Sequence, residues 1–197
     1  MQIVFATNNQ HKVDEIRSVL PHTFSIITLK EAGIDIDIPE PHPTLQENAA
    51  EKARVIYQLT QLNCFSEDTG LEVISLNNEP GVLSARYAGE EKSFDRNIDK
   101  LLTKLEGSKD RTAQFRTVVC LLMNGEEYFF EGICRGKICE ESKGKAGFGY
   151  DPVFVPDGSD KTFAEMTISE KNSFSHRKKA VDKLVVFLNN ILKQNIG

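Results

Sequence analysis

The sequence has no Gly-rich Walker pattern, no Cys-x-x-Cys pair, no internal repeat and no low-complexity tract. Each absence removes a class of protein. Without the Walker pattern the chain is no P-loop nucleotidase, and without paired cysteines a zinc site or disulfide framework has no support. Cys64, Cys120, Cys134 and Cys139 lie mostly in apolar strand-like runs and read as buried, reduced thiols. The longest apolar run, residues 118–123, falls far short of the roughly 20 residues that a membrane helix needs. Met1 and Gln2 lead straight into a strand with no basic stretch before it, so a cytoplasmic protein without a leader is expected. Positive charge is scarce as well. The net charge of −5 argues against a broad nucleic-acid or membrane surface, and any basic site must be concentrated. No Ser-His-Asp scheme is supported: the histidines are His11, His22, His42 and His176, and Ser175 and His176 point their side chains apart on a helix.

At 197 residues the chain can bury a full core, and no linker divides it, so one domain over residues 1–197 is expected. Ile3, Val4, Phe5 and Ala6 read as a strand running into the polar turn Thr7, Asn8, Asn9, Gln10, His11 and Lys12, with a helix from Val13. A strand over residues 24–29 and an acidic, proline-punctuated loop over 31–43 follow. Thr44 and Glu47 predict a capping box, ahead of a helix whose apolar stripe is Leu45, Ala49, Ala53, Ile56 and Leu59. Residues 64–66 read as a short strand ending at the turn Glu67-Asp68-Thr69-Gly70, with another strand over 71–76. Ser93 and Gly107 bracket a helix with Ile98, Leu101, Leu102 and Leu105 inward. Asn124-Gly125 joins the β-rich runs 113–123 and 127–133 in a hairpin. Gly132, Gly136, Gly144, Gly147 and Gly149 then suggest sharp bends or close backbone approach around a short strand at 153–155. From Ser175 onward, Val181, Leu184, Val185, Leu188, Ile191 and Leu192 recur at helical spacing. The alternation of helices and strands with an added hairpin predicts an α/β protein: a mixed β-sheet flanked by helices.

Four groups of residues could carry chemistry. The turn Thr7 to Lys12 precedes a helix, whose free backbone N–H groups and positive dipole end suit a phosphate. Glu40 and the pair Glu67-Asp68 stand where loops meet elements, as suits magnesium, which takes one or two carboxylates and completes its shell with water and phosphate oxygens. The alternative is that Glu67 and Asp68 merely shape a turn before Gly70. Lys12, Lys52, Lys171, His176 and Arg177 could together neutralise a polyphosphate and hold a base. In Gly147-Phe148-Gly149-Tyr150-Asp151-Pro152, aromatics alternate with glycines that let a planar ligand approach.

Taken in order, residues 7–12, Glu47-Asn48-Ala49 with Lys52-Ala53, Glu67-Asp68-Thr69-Gly70-Leu71, Pro80-Gly81-Val82-Leu83-Ser84-Ala85-Arg86-Tyr87, Phe148-Gly149-Tyr150-Asp151-Pro152, and Glu170-Lys171 through Ser175-His176-Arg177 form a set. This set resembles the inosine triphosphate pyrophosphatase family, also called Ham1-like, over almost the whole chain. The resemblance implies a fold of two lobes around a substrate cleft, shared with Maf-like proteins. It implies a magnesium-dependent diphosphatase, usually a homodimer, that hydrolyses ITP, dITP and XTP to the monophosphate and pyrophosphate and clears deaminated purines from the nucleotide pool. By the same resemblance Thr7, Asn8, Asn9, Gln10, His11 and Lys12 line the phosphate end. Asp68 is the catalytic carboxylate and a metal ligand, Glu40 a second ligand, and Lys52 and Thr69 touch substrate. Phe148, Gly149, Tyr150, Asp151, Lys171, His176 and Arg177 form the nucleoside end. The chain departs from the family's commoner residues at Asn8, Leu45, Glu67 and Thr69, and carries Pro41 and Pro43 beside Glu40.

The implied mechanism has Glu40 and Asp68 holding magnesium against the triphosphate while Asp68 orients or deprotonates the attacking water. Lys12, Lys52 and the first helix N-terminus would offset charge on the departing oxygens. Donors from His176, Arg177 or Lys171 would favour a 6-keto purine over adenine. The rivals are a purine-nucleotide sensor without hydrolysis, which the carboxylates disfavour, and a Maf-type pyrophosphatase for pyrimidine nucleotides, which the complete Phe148-to-Asp151 and Ser175-His176-Arg177 motifs disfavour.

Overall fold

The structure, a computed structural model, describes residues 2–194. Met1, on which the expectation of a leaderless start rests, lies outside them, as do residues 195–197. The elements in chain order are β1 (Gln2–Phe5), α1 (Gln10–Arg17), β2 (Ser25–Thr28), α2 (Leu45–Thr60), β3 (Cys64–Val73), β4 (Glu79–Gly81), α3 (Phe94–Lys104), β5 (Thr112–Met123), β6 (Glu126–Ile138), β7 (Phe154–Pro156), α4 (Ile168–Asn172) and α5 (His176–Gln194). They divide into two compact units: residues 2–68, 117–132 and 177–194 in the first, 69–116 and 133–176 in the second.

In the first unit the strands run in the order β2, β1, β3, β5, β6. β1 pairs in parallel with β2, Ile3 opposite Ile26, and with β3, Phe5 opposite Phe65. Because strand side chains alternate in direction, both faces of this sheet carry apolar residues. Ile3, Phe5, Phe65, Val119 and Leu121 join Val13 and Ile16 of α1 and Val181, Leu184 and Leu188 of α5 in one core. Val4, Ala6, Cys64, Cys120 and Leu122 join Ala49, Ala53 and Ile56 of α2 in another. The rings of Phe5 and Phe65 stack with centroids 4.5 Å apart. Burial pushes the Cys64 and Cys120 thiols up to about 12, which keeps them protonated and inert. Asn124 and Gly125, with φ of 53° and 85°, make the expected two-residue hairpin turn between β5 and β6.

Local chemistry moves several boundaries from their expected places. α1 begins at Gln10, because Asn9 is the N-cap and its side chain accepts the Lys12 N–H. Gln10, His11 and Lys12 are therefore the helix's first turn, which carries no apolar signal. At the start of α2 the Thr44 hydroxyl accepts the Glu47 N–H and donates to the Glu47 carboxylate. The apolar stripe of α2 stops at Ile56, and Leu59 is 61% exposed in the last turn. Most consequentially, β3 does not stop at Ser66: Glu67, Asp68, Thr69 and Gly70 are strand, and the strand ends at Val73.

In the second unit the order is β4, β3, β5, β6, β7. Its core gathers Leu71 and Val73 of β3, Phe115 of β5, Phe154 of β7, Ile98, Leu101 and Leu105 of α3, and Phe163. Leu102 packs at the edge of that core and Cys139 is only half-buried. The short helix α4 escaped the periodicity reading because five residues make little more than one turn; its capping box, Thr167 with Glu170, is the local signal that specifies it. β6 runs to Ile138, beyond the expected 133, and pairs antiparallel with β7, Gly136 opposite Pro156. A Cβ at Gly136 would lie 2.2 Å from the Val155 carbonyl oxygen and 2.9 Å from the Pro156 Cα, both backbone atoms of the paired strand. Gly136→Ala is therefore expected to lower stability by about 1–3 kcal/mol, measured by urea unfolding; wild-type stability would mean that β7 can shift away.

Candidate functional site

Glu67 and Asp68 are neighbours on a strand, so they face opposite sides of the sheet. Glu67 follows Phe65 onto the side of α1 and α5. There its carboxylate meets Lys12 Nζ at 3.0 Å, Arg177 Nε at 2.8 Å and Arg177 Nη2 at 3.1 Å. The Arg177 Nη1 donates to Glu15, three residues along α1 from Lys12. Arg177 and Glu67 are each only 2% exposed. Burial opposes the charge on Glu67, but the Arg177 guanidinium and the Lys12 ammonium outweigh it and hold the carboxyl at about 2. Burial likewise opposes the charge on Arg177, and Glu67 and Glu15 outweigh it, so its pKa is raised.

Asp68 follows Cys64 and Ser66 onto the side of α2, where Ser66 Oγ bonds the Ala49 carbonyl. Lys52 Nζ lies 3.6 Å from Asp68 Oδ1 and also donates to Glu40, so two carboxylates converge on one ammonium. Asn48, fully buried one turn before Lys52, donates to Asp68 Oδ2 at 3.3 Å and exchanges hydrogen bonds with the His42 backbone at 2.9 and 3.1 Å. The same amide thus orients Asp68 and fastens the chain next to Glu40. Burial pushes the Asp68 carboxyl up, Lys52 and Lys12 pull it down, Glu40 pushes it up again, and the net shift is upward. Lys52 is raised, the two acids outweighing its burial.

The remaining expected phosphate residues form a bonded turn. Thr7 Oγ1 accepts the Asn9 N–H at 3.2 Å, Asn8 donates to the Ile36 carbonyl at 2.8 Å, and Gln10 donates to Asp14 at 2.7 Å. His11 is exposed beside them. Asn48 and Glu15 were not singled out from the sequence as site residues. Asn48 carried a readable signal, since it shares a helix face with Lys52 and interrupts an apolar stripe; no motif or periodicity marks Glu15.

The second unit gathers Phe148, Gly149, Tyr150, Asp151, Lys171 and His176, with Thr69 on its stretch of β3. Asp151 Oδ2 accepts the Phe148 N–H at 2.9 Å and the Lys171 ammonium at 2.6 Å, and both Asp151 and Lys171 are buried. The same ammonium lies 5.2 Å from the ring centroids of Phe148 and Phe163. Gly147 permits this geometry: its φ is +76°, and a Cβ there would sit 2.1 Å from Asp151 Oδ2. The Tyr150 hydroxyl donates to the Ser84 carbonyl at 2.9 Å, and burial raises its pKa. His176 is buried and stacks on Phe115, centroids 4.7 Å apart. Arg177, expected at the nucleoside end with these residues, belongs to the first unit and spends its guanidinium on Glu67 and Glu15.

The chain belongs to the Ham1 family, whose model matches residues 3–187. Among its relatives is a dITP/XTP pyrophosphatase of Flavobacterium johnsoniae, 49% identical over 188 residues that cover 95% of this chain and 98% of the relative. A dITP/XTP pyrophosphatase of Porphyromonas gingivalis is 48% identical over 95% of this chain and 97% of its own. The solved structure of the Staphylococcus aureus Ham1 protein superposes with a TM-score of 0.87 at 39% identity, covering 96% of this chain and 99% of that one. The mixed sheet with flanking helices is the fold of this family.

The buried network makes a stability prediction. Glu67→Gln leaves Arg177 without its full counter-charge and is expected to cost about 3 kcal/mol near neutral pH. Because the Glu67 carboxyl falls from an ordinary 4.5 to about 2 on folding, its contribution is complete above about pH 4.5 and is lost as the pH falls toward 2. Urea unfolding from pH 7 to pH 3 should show the gap between wild type and variant narrowing below pH 4.5; a constant gap would contradict the assignment.

Proposed function

We propose that the protein is a magnesium-dependent nucleoside-triphosphate diphosphatase that converts ITP, dITP and XTP to the monophosphate and pyrophosphate, removing deaminated purines from the nucleotide pool. The observation that carries this reading is the convergence of two carboxylates, Asp68 and Glu40, at the Lys52 ammonium. Paired carboxylates offer hard oxygen donors that suit a divalent cation, and two carboxylates are what magnesium takes when phosphates complete its shell. The donor set therefore fits magnesium delivered with a triphosphate, with Asp68 and Glu40 holding it. When bound, it supplies charge neutralisation on the phosphate oxygens.

The chain's own residues do the rest. Asp68, its pKa raised by burial, takes the proton of a water that attacks the α-phosphorus. The new bond joins the water oxygen to that phosphorus, and the bond to the bridging oxygen breaks as pyrophosphate leaves with its electrons. Lys52 holds Asp68 and Glu40 together, and the residue 7–12 turn with the start of α1 receives the phosphates. In the second unit Phe148 stacks on the base and Lys171, fixed by Asp151, presents an ammonium donor that matches a 6-keto group and mismatches the adenine amine. His176 and Thr69 flank that set in this reading, and Arg177 holds Glu67. The cytoplasmic homodimer implied by the family resemblance belongs to the same proposal, and analytical ultracentrifugation tests the dimer. No helix among the described residues is long and apolar enough to cross a membrane.

The test incubates the protein with magnesium and a panel of nucleoside triphosphates and measures pyrophosphate release. ITP, dITP and XTP should be consumed far faster than ATP and the pyrimidine nucleotides; release of inorganic phosphate, or none at all, defeats the reading. Asp68→Asn should lower turnover about 10²–10⁴-fold with the circular dichroism spectrum unchanged. Lys171→Met should reduce the ratio of ITP to ATP hydrolysis by about tenfold, the cost of one unpaired donor; an unchanged ratio would move base recognition elsewhere.

A further inference from the structure

Among the large exposed apolar side chains, Phe94 stands out for where it lies. It is the first residue of α3, directly after Ser93, whose side chain caps the helix by accepting the Arg96 N–H. Counting along the helix, Phe94 shares a face with Ile98, Leu101 and Leu105, all buried in the second unit's core. Phe94 itself is 40% exposed, so it carries the stripe one turn beyond the core. Past that edge its ring meets Phe148, with centroids 6.3 Å apart and planes 49° from each other. That separation lies within the range of interacting aromatic pairs, but the planes are too open for the two rings to stack on one another.

The backbone that carries each ring is anchored independently of any ligand. The Phe148 backbone N–H is bonded to Asp151, and the next aromatic, Tyr150, is tied to the Ser84 carbonyl. Asn97 of α3 is buried; it donates to the Ala85 carbonyl at 3.0 Å and accepts the Ala88 N–H at 2.7 Å, so the helix start is pinned to the same segment that holds Tyr150. An open angle between two aromatic rings on anchored backbone, one of them with the Lys171 ammonium 5.2 Å from its centroid, is a seat for a flat heteroaromatic group.

We infer that Phe94 is a further base-contacting residue, the second aromatic wall beside Phe148. This rests on the reading of Phe148 and Lys171 as the base end. A wall that touches only the base contributes to binding equally in the ground state and the transition state, so its loss acts on KM.

The experiment compares ITP hydrolysis by wild type, Phe94→Ala, Phe94→Tyr and Phe129→Ala, the last an aromatic of similar exposure in the other unit. Phe94→Ala should raise KM about three- to tenfold with kcat within about twofold, Phe94→Tyr should restore KM, and Phe129→Ala should match wild type. A wild-type KM in Phe94→Ala overturns the inference, as does a fall in kcat shared by Phe94→Ala and Phe94→Tyr, or an equal rise in KM for Phe129→Ala. If the wild-type protein releases no pyrophosphate from any purine triphosphate, the reading of the site fails first; if it does and Phe94→Ala is silent, only the role of Phe94 fails.

Discussion

A strand sends consecutive side chains to opposite faces, and the chemistry of the first unit follows from that constraint acting at two adjacent acids. Glu67 and Asp68 share a peptide bond yet live in different surroundings. Glu67 is driven into the layer of α1 and α5, where only a fully paired carboxylate is tolerable, and Arg177 and Lys12 supply the pairing. Asp68 is driven into the layer of α2, where Lys52 is shared with Glu40. Shifting the register of β3 by one residue would exchange the two roles and place Asp68 between Arg177 and Lys12. The apolar alternation of Cys64 and Phe65 just upstream, each in its own core, forbids that slip.

The two faces also settle what each acid can do. A carboxyl held at about 2 by a guanidinium is a permanent anion with its lone pairs engaged, which suits a structural role. A carboxyl raised by burial and by a neighbouring acid is closer to taking a proton, which suits a base. The balanced face fixes α1 and α5 on the sheet, while on the other face Asp68 and Glu40 converge on Lys52. The acid that meets Asp68 at its ammonium is Glu40, while the Glu67 carboxylate is bonded by Arg177 and Lys12. Asn48 makes the companionship possible, since one buried amide grips both Asp68 and the backbone at His42, two residues from Glu40.

Much of this was legible in the chain. The capped helix starts at Thr44 and Ser93, the Asn124-Gly125 hairpin and the mixed sheet follow from local rules that tertiary packing here obeys. The Glu67-to-Gly70 stretch was not, because four residues rich in charge and glycine look like a turn unless a partner for each charge is known. Those partners are remote: Arg177 lies 110 residues from Glu67 in sequence, and no periodicity links them. For the same reason the pairing of Arg177 with Glu67 could not be read from the chain. At a helix start one residue's step rotates the side chain by about 100°, enough to send His176 against Phe115 and Arg177 to Glu67. The order of motifs identified the family; it could not say which way each side chain turned.

Selectivity for the base, in this reading, has to come from the second unit, because phosphate and metal groups are common to every nucleotide. The features that would supply it are already assembled without a ligand. Asp151 holds the Lys171 ammonium and the Phe148 N–H on one oxygen, Gly147 leaves room for that oxygen, and Tyr150 ties the loop to Ser84. Preorganisation of this kind spares the ordering cost of binding. It also prevents escape, since an ammonium fixed by a buried carboxylate cannot turn away when an amine arrives in place of a keto oxygen, and the mismatch must be borne in full. A flexible lysine at the same position would bind both purines and distinguish neither, so the rigidity of the Asp151–Lys171 pair is what turns a cation beside an aromatic ring into a discriminating one.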